Sequence, residues 1–63
     1  MEKIYYFTPQ CSDELLNAMS NLSEEECRFY AKNYDYVWEL SPREFECMFN
    51  TEVISDLGFI RIF

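Results

Sequence analysis

Three cysteines and twelve carboxylates are the side chains of this 63-residue sequence best able to do chemistry, and each class lacks a partner. A thiol or hydroxyl nucleophile needs a base beside it, and the sequence has no His. Imidazole general-base catalysis, Ser/His and Cys/His pairs and histidine metal ligation are therefore excluded. Cys11, Cys27 and Cys47 are widely spaced, odd in number and free of any C-x-x-C pair. A zinc site built on them would need a carboxylate as fourth ligand, a poor match to structural zinc. They read as free, buried thiols in a reducing compartment. The alternative is Cys11 as a thiol of lowered pKa beside a helix start. Acid–base work by two carboxylates needs a pocket that drives their pKa values apart, and so short a chain spends most of its bulk on one core. Gly58 is the single glycine, so a glycine-rich phosphate loop and an EF-hand loop are both absent. The expectation is a protein that is not an enzyme and uses no cofactor or metal.

Charge gives a more positive lead. Five Lys and Arg against twelve Asp and Glu leave a net charge of -7. Binding to nucleic acid depends on basic side chains displacing counterions, so direct contact with DNA or RNA is disfavoured. Aromatics on a small sheet could stack bases, but such platforms lie in a positive groove. Between Asp35 and Asp56 there are six acids, Asp35, Glu39, Glu44, Glu46, Glu52 and Asp56, against Arg43 alone. Taken singly, each has a local task or lies on a solvated helix face. Taken together, they could imitate a phosphate backbone and occupy a basic groove on another protein, with long-range attraction speeding the encounter.

The elements that must position these groups are marked by local signals. Residues 3–7 are β-branched and aromatic, and Thr8-Pro9 ends them as a first strand. Ser12 caps a helix with Asp13 and Glu14 in its first turn and Leu15, Leu16, Met19 and Leu22 at helical spacing, ending near Asn21. Ser23-Glu24-Glu25-Glu26 is a capping box for a second helix, reaching about Asn33 on the stripe Cys27, Tyr30, Ala31 and Tyr34. Residues 35–40 form a second strand. Ser41-Pro42-Arg43-Glu44 is a second capping box with proline at the first helical position, flanked by Leu40 and Phe45 as a staple. This third helix fades between Asn50 and Val53. Asp56, Leu57 and Gly58 turn the chain into a last strand over residues 59–63.

The order β-α-α-β-α-β predicts a single α+β domain, with a three-stranded sheet covered by helices on one face. Two closings compete. In one, the third helix is a crossover between parallel strands. In the other, residues 51–55 form a hairpin with the last strand, giving four strands. Strand alternation places Ile4, Tyr6, Trp38, Ile60 and Ile62 beneath the helices, and Lys3, Tyr5, Phe7, Val37, Glu39, Phe59, Arg61 and Phe63 on the open side. Lys3, Glu39 and Arg61 could pair there across strands. Tyr5, Phe7, Phe59 and Phe63 then make an aromatic sheet face suited to an interface.

The N-terminus carries neither a signal peptide nor an apolar run of membrane-spanning length, which predicts a cytoplasmic protein with no membrane partner. The function expected is a non-catalytic, acidic interaction module. Its concrete form is a small inhibitor, of the kind encoded by phages and mobile elements, that occupies a basic nucleic-acid-binding surface of a target protein. The alternative is an accessory or structural subunit that associates through the aromatic face, with a partner or as a homodimer.

Overall fold

The structure, a computed structural model, describes residues 2–53 and 58–63. Strand β1 (Ile4–Phe7) is followed by helix α1 (Asp13–Ala18), a 3-10 turn (Met19–Asn21), helix α2 (Glu24–Asn33), strand β2 (Val37–Leu40), helix α3 (Pro42–Asn50) and strand β3 (Phe59–Ile62). The fold is α+β with the element order β-α-α-β-α-β, and its three strands form one open sheet in the order β2-β1-β3.

Each helix starts where a side chain satisfies amides that have no partner within the helix. Ser12 Oγ accepts from the Leu15 amide at 3.2 Å. Ser23 and Glu26 exchange hydrogen bonds of 3.0 and 3.2 Å, and Ser41 and Glu44 do the same at 3.1 and 3.2 Å. Both capping boxes therefore form as their spacing predicts, and Pro42 stands in the first turn of α3. The C-terminal end of α3 is a Schellman motif. The Val53 amide donates to the Met48 carbonyl at 3.0 Å and the Glu52 amide to the Phe49 carbonyl at 3.2 Å. Glu52, with φ 61°, occupies the left-handed position that glycine or asparagine normally fills.

β1 is central and pairs antiparallel with both neighbours, Tyr5 with Glu39 and Arg61, Tyr6 with Trp38 and Ile60. β2 and β3 therefore run in the same direction with β1 between them, and α3 links them across that strand. The expected parallel relation holds in direction but not as adjacent pairing. Of the alternative hairpin, Thr51 and Glu52 form a turn and Val53 a bend, whereas residues 54 and 55 lie outside the described residues.

The helices divide between the two faces of the sheet. Tyr5, Phe7 and Val37 pack with Cys11, Leu15, Met19 and Cys27 under α1 and α2. On the other face Ile4, Tyr6 and Leu40 pack with Phe45 and Met48 of α3 and with Trp38. β1 explains this arrangement, because Ile-Tyr-Tyr-Phe is apolar on both sides and buried at all four positions. A single helical layer would leave half of it in water. Gly58 allows β3 to approach: a Cβ there would lie 2.5 Å from the Phe7 carbonyl oxygen and 2.8 Å from the Tyr6 ring. The chain passes too close for any other residue without a shift of the backbone.

Candidate interaction surface

The basic residues are mostly occupied within the molecule. Lys3 Nζ lies 3.9 Å from Glu39, and Arg28 reaches Glu24 one helical turn away at 3.6 Å. Arg61 points to the 3-10 turn that follows α1, where its guanidinium donates to the carbonyls of Met19 and Leu22 and stacks over the Phe63 ring at 4.8 Å. The expected trio of Lys3, Glu39 and Arg61 is thus reduced to the Lys3–Glu39 pair. Arg61 instead satisfies the carbonyls that end the first helical segment. Lys32 and Arg43 have no ion pair among the described residues.

The six acids of the expected site do not form one cluster. Glu39 accepts from the Tyr5 hydroxyl at 2.8 Å as well as pairing with Lys3. Glu44 is held by the capping box, and the Ser41 amide and hydroxyl keep its carboxyl below the usual range. Asp35, Glu46 and Glu52 are exposed, with no ion pair among the described residues. Asp56 lies outside them. Asp35 and Glu39 line one cleft of about 400 Å³ between α2 and the outer edge of β2, together with Lys32, Val37 and Trp38. Glu44 and Glu46 stand on α3, across the sheet.

The expected aromatic face is corrected at two of its four positions. Tyr5 and Phe7 are completely buried, because α1 and α2 cover the side on which they lie. Phe63 is half-buried with its ring edge on Tyr5 at 5.9 Å. Only Phe59 is largely open, at 49 % exposure. Ile60 and Ile62 on β3, expected beneath the helices, are instead exposed, as is Phe49 on α3. A helix about 10 Å across covers roughly two strands spaced about 4.8 Å apart, so one short helix leaves the third strand bare.

The thiols divide by burial. Cys11 and Cys27 are buried, and burial pushes both thiols above the ordinary range, against the reading of Cys11 as an activated nucleophile. Cys47 is exposed on α3, contrary to the expectation of three buried thiols. No group of three or more His, Cys, Asp or Glu side chains that could hold a metal occurs among the described residues. Among the same residues no helix is long and apolar enough to cross a membrane.

No protein-family model, curated protein or solved structure matches this chain.

Proposed function

We propose that the protein is a non-catalytic, acidic interaction module that binds a basic surface of a partner protein, and that as an inhibitor it denies that surface to nucleic acid. The observation that carries this reading is the placement of charge. Lys3, Arg28 and Arg61 are tied to groups of the protein itself, while Asp35, Glu46 and Glu52 face water unpaired. With Lys32 and Arg43 the exposed cations that have no ion pair among the described residues, an approaching partner meets a predominantly negative field, and a basic groove is the surface such a field attracts.

Capture of partners on the immobilised protein, followed by a salt titration, tests the proposal. Affinity should fall by about tenfold or more between 0.05 and 0.3 M NaCl, as exposed charges are screened, and DNA or RNA should compete. Asp35→Asn, Glu46→Gln and Glu52→Gln together should weaken binding with the fold intact. An affinity indifferent to both salt and the triple substitution refutes it.

A second reading, an accessory subunit joined through apolar surface, is favoured by the exposure of Ile60, Ile62, Phe49 and Val53. Its interface is largely aliphatic, in place of the buried Tyr5 and Phe7. Association of two copies through it would strengthen with salt, the opposite sign.

A further inference from the structure

Among the described residues β3 is an edge strand with no outward-facing charge, proline or bulge along it. Lys3 and Phe63 exchange both main-chain hydrogen bonds, at 3.0 and 2.9 Å. With Arg61 opposite Tyr5 and Phe59 opposite Phe7, the same alternation turns the amides and carbonyls of Phe59 and Arg61 toward β1. Those of Ile60 and Ile62 therefore point away from the sheet, and among the described residues no strand pairs with them. Their side chains are 40 % and 63 % exposed, so main chain and apolar side chain are presented together. Proteins usually blunt such an edge with charges, proline or bulges. β2, at the other edge, has the exposed Glu39, with Lys32 and Asp35 lining the cleft beside it. The one charge on β3, Arg61, is turned inward onto the carbonyls of Met19 and Leu22.

We infer that the outer edge of β3 accepts an extended segment of a partner protein as a fourth strand, antiparallel to β3, with β-branched residues beside Ile60 and Ile62 and basic residues flanking them. Charge selects this occupant over a second copy. Two copies of net charge -7 repel, whereas basic flanks are attracted. The inference rests on the reading of a basic partner and locates where that partner is gripped. Strand addition supplies affinity through the main chain and specificity through alternate side chains.

The test uses the full chain and a fluorescent probe peptide of alternating valine and threonine with two lysines at each end. Saturable binding is expected by anisotropy. Opposite Ile60 and Ile62 stand the valines, whose amides face β3, so N-methylation at valine should weaken binding at least tenfold and N-methylation at threonine should not. Ile62→Lys, at a position that leaves the core intact, should weaken it equally, Ile62→Val should retain it, and glutamates in place of the lysines should abolish it. If lysine flanks matter but valine N-methylation does not, the edge proposal falls while the basic-partner reading stands. If no probe binds, or the protein sediments as a dimer that Ile62→Lys disperses, the proposal is overturned.

Discussion

Tyr5 has no exposed surface, yet its hydroxyl donates at 2.8 Å to Glu39, a carboxylate that is itself exposed. The shielded hydroxyl thus lies against a carboxylate that reaches water, and Lys3 pairs with that carboxylate. Burial first, and the Glu39 carboxylate second, push the Tyr5 hydroxyl above its ordinary value, outweighing Arg28, which pulls the other way. A folded-state pKa raised above the unfolded value of about 10 gives stability that is present below that pH and lost as pH rises through the folded value. Denaturant melts of wild type and Tyr5→Phe should therefore differ by about 1 kcal/mol at pH 8. The difference should shrink in strongly alkaline solution, as wild type alone pays for ionising this group. Parallel curves across that range would show that ionisation of the hydroxyl is not coupled to folding.

The short elements are defined at their ends. The two capping boxes use residues three positions apart, so their geometry needs no knowledge of the rest of the fold, and the starts of α2 and α3 were legible for that reason. The C-terminal end of α3 was legible only to the span from Asn50 to Val53, because its signal is a backbone angle and the residue there is Glu52 rather than glycine. Holding a side chain in the left-handed region costs about 1–2 kcal/mol. Glu52→Gly should accordingly stabilise the protein by up to about 1 kcal/mol, allowing for glycine's greater freedom when unfolded; an unchanged or lower midpoint in urea would refute the strain. The strand faces were legible in part. Alternation grouped the right residues across the sheet, and the register confirms it: Tyr5 with Glu39 and Arg61, Tyr6 with Trp38 and Ile60. It could not say which group was covered, since both faces of β1 are apolar and a period of two marks a buried side only when the other is polar. The candidate site suffered most. Its acids were visible, but their division between capping, pairing and open water depends on contacts distant in sequence.

As a whole molecule the protein joins its two ends at one central strand. β1 cannot satisfy both edges until β3 returns to it, and Arg61 then ties that last strand to the carbonyls of Met19 and Leu22 at the 3-10 turn after α1. The intervening chain must close a loop of nearly the full length, and that entropy is spent before any contact repays it. α2 and β2 are nearer to β1 in sequence and can assemble on it first. If they do, docking of the arginine falls on the native side of the rate-limiting barrier, where a contact governs how fast the protein comes apart rather than how fast it forms. In stopped-flow measurements on the Trp38 signal, Arg61→Ala should raise the unfolding rate and leave the refolding rate nearly unchanged; equal slowing of refolding would place the docking in the transition state. The side chain that fastens the last strand acts, on this account, as a brake on unfolding, setting the lifetime of the native state.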